Sequence, residues 1–485
     1  MAQTDPIALY WFRNDLRVED HPGLCAAASA GRVIGAYVLD DETAEARKLG
    51  GAARWWLAQS LRALQNDLAD LGIPLVLRRG RERDVIPDLV DEIGATNIFW
   101  ARRFEPWGQA GDRDLKADFA AKGVAARSVN AALLVEPWEV KTQSGGDFKV
   151  YSPFYRAIAP LLPALATQLD APPPRQTPPP APPSLSIDDL GLEPNAPDWA
   201  GGLRRNWRPG AVGARQLLAD FLAGPIRDYK EARNRPGEWT TSRLSPHLRF
   251  GEISPKRVLA STLATIAADP SLAADGEHFI KELCWREFSY HLLHHRPDLP
   301  VANWRAQFDA FPWRNDPAAL RAWRRGKTGF PIIDAGMREL WTTGWMHNRV
   351  RMIVASFLIK DLMIDWRSGE EWFWDTLVDA DLANNAASWQ WVAGSGADAA
   401  PYFRIFNPVS QARKFDPDGA YVRRWVPELA ALPHDLLHAP WEDEALARRC
   451  GIVLGRDYPR PLLDHSAART RALEAFAQIS AASVA

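Results

Sequence analysis

At 485 residues the chain exceeds one ordinary hydrophobic core, so two domains are expected. Hydrophobic content of 47%, charged content of 24% and a net charge of −2 fit a globular protein and exclude one that holds nucleic acid by overall charge; such binding would need a local basic patch. Three widely spaced cysteines (Cys25, Cys284, Cys450) exclude a disulfide framework and a CxxC zinc site, and with no signal pattern or membrane-length apolar run the expected setting is the reducing cytoplasm.

Residues 1–135 alternate short apolar runs with helical spacing. Strands are predicted at Ile7–Trp11, Val33–Leu39, Leu75–Leu77, Asn97–Trp100 and Ala125–Val129, with helices at Ala52–Leu71, Arg83–Ile93 and Asp112–Lys122. This alternation predicts an α/β domain with a doubly wound, Rossmann-like parallel sheet, but no GxGxxG follows the first strand. Residues 136–206 read as an interdomain linker. Within it, Ala171–Pro183 (APPPRQTPPPAPP) has eight prolines in thirteen residues. Proline fixes φ and lacks an N–H, so this stretch is extended and stiff. Residues 207–485 read as all-α, with helices at Leu217–Leu222, Pro255–Ile266, Glu277–His295, Pro317–Arg325, Pro331–Thr342, His347–Asp365 and Glu370–Leu377.

The densest chemistry lies in Leu377–Trp391, LVDADLANNAASWQW, which holds Asp379, Asp381, Asn384, Asn385, Trp389 and Trp391. Carboxylates, carboxamides and indoles together suit a polar, planar ligand. If this stretch is helical, residues two apart differ by about 200° around the axis. Trp389 and Trp391 then face opposite ways, one toward a pocket and one into the protein. In Thr241–Ser245 (TSRLS), Ser245-Pro246 reads as an N-cap with proline at the first helical position and Gly251 as the stop; Ser254-Pro255 repeats the signal. Such a turn suits a phosphate, and equally a plain capped turn. Glu282, Trp285, Arg286 and Ser289 share one helical face, as do Asn348, Arg351, Met352 and Ala355. His291, His294 and His295 read as a helix end rather than a metal site. The 22 tryptophans serve equally as core, as stacking surfaces or as electron carriers.

Taken together, WFRNDLRVEDHPGL, TSRLSPHLRFGEISP, KELCWREFSYHLL, GKTGFPIIDAGMREL, GWMHNRVRMIVASFLIKDLMIDW, the LVDADLANNAASWQW stretch and APYFRIFNP resemble, in order, the motifs of the photolyase/cryptochrome family. The chain is most like its bacterial cyclobutane pyrimidine dimer photolyases. The resemblance implies an α/β antenna-binding domain and a helical FAD- and DNA-binding domain. It implies that FAD is contacted by Tyr229, Thr241, Ser242, Arg243, Leu244, Ser245, Arg286, Asn348, Arg351 (paired with Asp379), Asp379, Asp381 and Asn385. Glu282, Trp285, Asn348, Met352 and Trp391 would meet a flipped-out dimer, and Asn385 would face flavin N5. Trp313, Trp366 and Trp389 match the family's electron-hopping series; on the residues alone they are core tryptophans.

For DNA, a rim of Arg233, Arg235, Arg314, Arg321, Arg324, Arg325, Lys327, Arg349, Arg404 and Lys414 is a candidate, with Arg349 and Arg404 matching phosphate-contacting positions. An antenna chromophore is implied, 5,10-methenyltetrahydrofolate or a deazaflavin, near Arg103–Asp114 with Glu105 as its single best contact. No metal is expected, and the cysteine count argues against the iron–sulfur branch. The implied activity is light-driven repair of ultraviolet-damaged DNA by a monomeric enzyme. The alternatives are a cryptochrome-like photoreceptor, a (6-4) photolyase and a dark electron-transfer flavoprotein. Asn385, where plant cryptochromes have aspartate, and Trp391, where they have tyrosine, lean toward repair. MHNRVRM lacks the second histidine of (6-4) enzymes.

Overall fold

In the computed structural model, residues 6–43, 47–399 and 403–482 are described. Ala400, Pro401 and Tyr402 of the APYFRIFNP motif lie outside them. By contact the chain divides into two units, residues 1–224 with 242–297 and residues 225–241 with 298–485.

The first unit holds a five-stranded sheet: β1 (Ile7–Phe12), β2 (Arg32–Leu39), β3 (Leu75–Arg79), β4 (Asn97–Ala101) and β5 (Ala125–Val129), ordered β3-β2-β1-β4-β5. Every pairing is parallel, as the strand–helix alternation requires. The central strands are buried on both faces; Leu9, Trp11, Ile98 and Trp100 pack with Leu115 and Phe119 in one apolar cluster. Helices α1 (Pro22–Ala30), α2 (Gly51–Asp70), α3 (Glu82–Ile93) and α4 (Pro106–Ala121) follow the first four strands. Sequence periodicity misses α1, because its alanine-rich run has no clear apolar stripe. Its start is nevertheless signalled by Pro22 and by His21, whose Nδ1 accepts from Leu24 N–H at 3.2 Å.

At the carboxyl ends of β1 and β4 the strand order reverses, the place where open α/β sheets commonly take a ligand. Here side chains fill it. The Arg13 guanidinium lies 3.7 Å from the Trp11 ring centroid and pairs with Asp112 at 2.6 Å. Trp100 Nε1–H donates to the same carboxylate at 2.9 Å.

Between 136 and 206 the chain carries short helices, including Tyr151–Ile158, before the proline-rich stretch. The first unit also contains α5 (Ala273–His295), ending at the histidines that precede Arg296. The second unit is helical. Its site-bearing elements are α6 (Asn348–Ser356), a π-helical turn at Phe357–Asp361, α7 (Trp366–Thr376), α8 (Leu382–Ala393) and a C-terminal helix, α9 (His465–Ala482). The expected single helix His347–Asp365 is therefore broken. The π turn inserts one residue and ends α6, and Asp365 then caps α7, accepting from Arg367 N–H at 2.9 Å. No helix among the described residues is long and apolar enough to cross a membrane.

Candidate functional site

In the second unit a cleft is lined by Asn348, Arg351, Met352 and Ala355 of α6, Phe373 of α7, Asp379 and Asp381, and Asn384, Asn385 and Trp389 of α8. The helical spacing predicted for α6 is what delivers its four residues. Ile353 and Phe357 instead turn into the core. The loop between α7 and α8 holds the acids. Asp381 caps α8, accepting from Asn384 N–H at 2.8 Å and from the Asn384 amide at 2.7 Å. Asp379 is buried and takes both guanidinium nitrogens of Arg351, at 3.1 and 2.8 Å. Arg351 is further fixed by donating to the Met346 carbonyl at 2.7 Å. A bidentate pair of this kind holds a cation rigidly at a cavity wall.

Asn385 is oriented by a residue the sequence did not single out. Its amide nitrogen donates to the Glu370 backbone carbonyl at 3.0 Å and to Glu370 Oε1 at 2.7 Å. Both partners are acceptors, so the nitrogen must face them and the amide oxygen must face the cleft. Glu370 lies one helix away and looks in sequence like any helical acid; only the fold reveals the partnership.

The three tryptophans of the expected series differ in their settings. Trp389 lines the cleft and is otherwise buried, while Trp391 is half-buried and outside that lining. The Trp389 ring lies against Gly369 of α7, where an added Cβ would come within 2.1 Å of it. Three residues before Gly369, Trp366 is fully buried and donates from Nε1 to Asn303 Oδ1 at 2.9 Å. Trp313 is half-buried; its neighbour Arg314 bonds the Met363 carbonyl, and its ring packs on Phe311 at 4.5 Å. Also in this unit, Tyr229 is buried at the start of a short helix under Arg233, whose guanidinium lies 5.6 Å from the ring centroid. Thr241 accepts at its carbonyl from Trp239.

In the first unit, α5 leaves Glu282, Trp285 and Arg286 half-buried, whereas Ser289, expected on the same face, is buried with Leu283, Cys284 and Phe288. Trp285 stacks on Tyr151 at 3.7 Å and 8°, which fixes its ring plane. Arg286 donates to the Ala132 carbonyl at 2.9 Å and to Glu287 at 3.0 Å. Burial pushes the Glu287 carboxyl up to about 7. Ser245 is not the N-cap expected: the cap is Leu244, and Ser245 with Pro246 opens the helix. The reason is Arg243, whose φ of 53° is left-handed. A left-handed residue followed by the right-handed Leu244 (φ −79°) makes successive N–H groups converge, the concave shape that holds an anion. Ser254 does cap its helix, accepting from Arg257 N–H at 2.9 Å. Glu105 is half-buried at the start of α4. Nearby in sequence, Phe104 lies 6.1 Å from Trp138, itself 5.4 Å from His294.

Arg349 donates twice to Asn234 Oδ1, at 3.1 and 2.7 Å, and lies over Phe415 at 4.3 Å. Burial, with repulsion from Arg233 and Arg404, holds its guanidinium below the usual arginine range. Arg404 is exposed.

Residues 8–180 match the family model described as DNA photolyase, and residues 279–478 match the FAD binding domain of DNA photolyase. The chain is 48% identical to a deoxyribodipyrimidine photo-lyase of Agrobacterium fabrum over 98% of both chains. It is 38% identical to cryptochrome-1 of Arabidopsis thaliana, covering 97% of this chain and 70% of that one. Among solved structures, a class III photolyase from Agrobacterium tumefaciens superposes with a TM-score of 0.93 at 47% identity, over 99% of this chain and 98% of that one. A Synechocystis cryptochrome does so at 0.86 and 30%, over 98% and 100%. The parallel sheet, the helical region and the site-bearing segments are thus those of known relatives, and the chain belongs to the DNA photolyase/cryptochrome family.

Proposed function

We propose that the protein is a light-driven DNA repair enzyme that splits cyclobutane pyrimidine dimers, with FAD as its cofactor. The observation that carries this reading is the cleft wall. Asn385 turns its amide oxygen into the cleft while Arg351 and Asp379 form a fixed ion pair beside it and Trp389 closes one side. The donor set fits a flavin: a guanidinium for the ring carbonyls, an amide oxygen for an N–H, and apolar Met352, Phe373 and Trp389 for the ring faces. The concave turn at Arg243–Leu244 suits the pyrophosphate, with Tyr229, Thr241, Ser242 and Ser245 assigned to it by the resemblance. When bound in its reduced form, FAD would supply reversible, light-driven one-electron transfer to the dimer, whose two cyclobutane C–C bonds open with no net redox change.

The chain's own residues do the rest. Asn385 Oδ1 would accept a hydrogen bond from the flavin N–H, which would favour the reduced cofactor. Glu282 hydrogen-bonds the dimer, Trp285 and Trp391 flank it, and Asn348 and Met352 complete the contact. Arg286 and Asp381 are assigned to the cofactor. Trp389, Trp366 and Trp313 relay electrons inward to restore the reduced state. Arg349 and Arg404 take DNA phosphates, and the dimer leaves the stack easily because a lesion has already lost stacking energy. We assign the antenna, 5,10-methenyltetrahydrofolate, to the region of Glu105, where Phe104, Trp138 and His294 offer stacking rings. The protein acts as a cytoplasmic monomer.

The test uses purified protein with reduced FAD and an oligothymidine carrying cyclobutane dimers, half illuminated and half dark. Recovery of thymine absorbance in the light alone supports the proposal. No recovery with FAD bound and reduced would refute it. Repair of a (6-4) lesion instead would reassign the substrate, and repair of neither lesion would favour a photoreceptor.

A further inference from the structure

A second concave feature of the helical unit shares only Arg404 with the reading above. It is a groove of about 460 Å³ lined by Phe403, Arg404, Ile405, Arg469, Leu473 and Phe476. Its floor is apolar: Phe403 and Phe476 stack at 4.7 Å and 6°. Its rim is cationic: Arg404 and Arg469 are both exposed. No carboxylate lines the groove, and neither arginine has an ion pair among the described residues.

More guanidinium groups lie beside it, and a buried lysine lies behind. Lys360 is buried under the rim, bonds the Arg404 carbonyl and sits 4.6 Å from the Phe403 ring. Arg471, two residues before Leu473 on α9, donates to the Asp361 carbonyl at 2.7 Å and is repelled by exposed Arg314. On the other side, Arg404 repels Arg349, which repels Arg233 in turn. Asp361, next to Lys360, is buried and paired with His465 at 2.5 Å. The repulsion among Arg233, Arg349 and Arg404 costs electrostatic energy in the free protein and is relieved by a polyanion. Guanidinium groups at the rim fit phosphates, and an apolar floor fits the sugar faces between them.

We propose that this groove, floored by Phe403 and α9, holds the sugar–phosphate backbone of the DNA beyond the lesion. Arg469 binds a phosphate further along the strand held by Arg404. The inference rests on the DNA repair reading and extends it to a helix that reading leaves unused. The C-terminal helix becomes part of the DNA track and lengthens the footprint.

The experiment compares two ligands with the full-length, FAD-containing protein. One is a dimer in the middle of a long duplex (about 30 base pairs), the other a dimer in a single-stranded oligomer of about five nucleotides, too short to reach the groove. Binding is followed by fluorescence anisotropy across a salt series. For the long duplex, Arg469→Ala is expected to lower the slope of log K against log [salt] by about 0.9, so the wild-type advantage shrinks about 3.5-fold between 50 and 200 mM salt. Arg469→Lys is expected to restore the slope, and the short ligand is expected to show no change. An unchanged slope for Arg469→Ala on the duplex overturns the proposal. So does an equal loss on both ligands, which would place Arg469 at the lesion or in the fold. The parent reading fails separately, if wild-type protein does not prefer damaged over intact duplex.

Discussion

Replacing Glu370 by alanine tests how the cleft fixes its polarity. In the native arrangement the Asn385 amide nitrogen makes two hydrogen bonds, at 3.0 Å to the Glu370 carbonyl and 2.7 Å to its carboxyl. A flipped amide would lose both and set its oxygen against two acceptors. With net values of about 0.5–1.5 kcal/mol for the backbone bond and about 1.5–3 kcal/mol for the carboxyl bond, the native orientation is favoured by roughly 2–4 kcal/mol. Glu370→Ala leaves the weaker bond alone. The lost bias, up to about 1.5–3 kcal/mol, then lets the amide turn its N–H toward an unprotonated N5 and stabilise oxidised FAD. For a two-electron couple this is a reduction potential up to about 30–60 mV more negative.

The assay is a redox titration of the purified FAD-containing variants. Glu370→Gln keeps a carbonyl at the same reach and is expected to hold the native potential. FAD content should be unchanged in both, because Glu370 does not line the cleft. Equal shifts in Glu370→Ala and Glu370→Gln would show that charge rather than orientation matters. No shift in either would refute the reasoning.

Trp366→Phe is expected to abolish photoreduction of oxidised FAD while leaving dimer splitting by chemically pre-reduced protein near wild type; loss of both activities would remove Trp366 from the electron series. Gly369→Ala drives a methyl group into the Trp389 ring and Leu358. It is expected to cost about 1–3 kcal/mol in chemical denaturation and to slow photoreduction with it; an unchanged stability would show that the ring has room to move. Burial lowers Lys360 from its ordinary 10.5 to about 7. Above that pH the folded protein has lost a proton that the unfolded chain keeps up to about 10.5. Stability from this group therefore rises with pH between about 7 and 10.5, by at most about 1.4 kcal/mol per pH unit. Urea unfolding at pH 7 and pH 9 should show this gain in wild type and its absence in Lys360→Met; a gain of equal size in the variant would assign it to other groups.

What could be read in advance divides along physical lines. Helical periodicity placed Asn348, Arg351, Met352 and Ala355 on one face, because the spacing alone fixes which side chains point together. Strand–helix alternation gave the sheet for a similar reason. The π turn at Phe357–Asp361 left no trace in the apolar pattern, because a one-residue insertion shifts the phase without breaking the hydrophobic run. The Ser245 cap was misplaced by one residue, since nothing about an arginine at 243 announces a left-handed φ. Glu370 and Arg469 were invisible for a third reason. Glu370 orients Asn385 from the neighbouring helix, and Arg469 shares a groove with Arg404, neighbourhoods that only the fold creates. The roles of Asn385 and Arg351 were suggested by family resemblance, with no pattern in the residues that would alone assign them.

The setting of Trp366 has a consequence for direction. An indole that has lost an electron becomes an acid, and how long it remains a cation depends on what its N–H touches. The Trp366 N–H meets the side-chain oxygen of Asn303, which accepts a hydrogen bond but has no basicity to remove the proton. A positive hole on Trp366 therefore keeps its proton and stays mobile. Half-buried Trp313 can release its proton to water once the hole arrives, and the deprotonated ring no longer draws the electron back. In the relay we propose, a neutral amide in the middle and solvent at the end act as a one-way valve, set by the difference in proton affinity between the two environments.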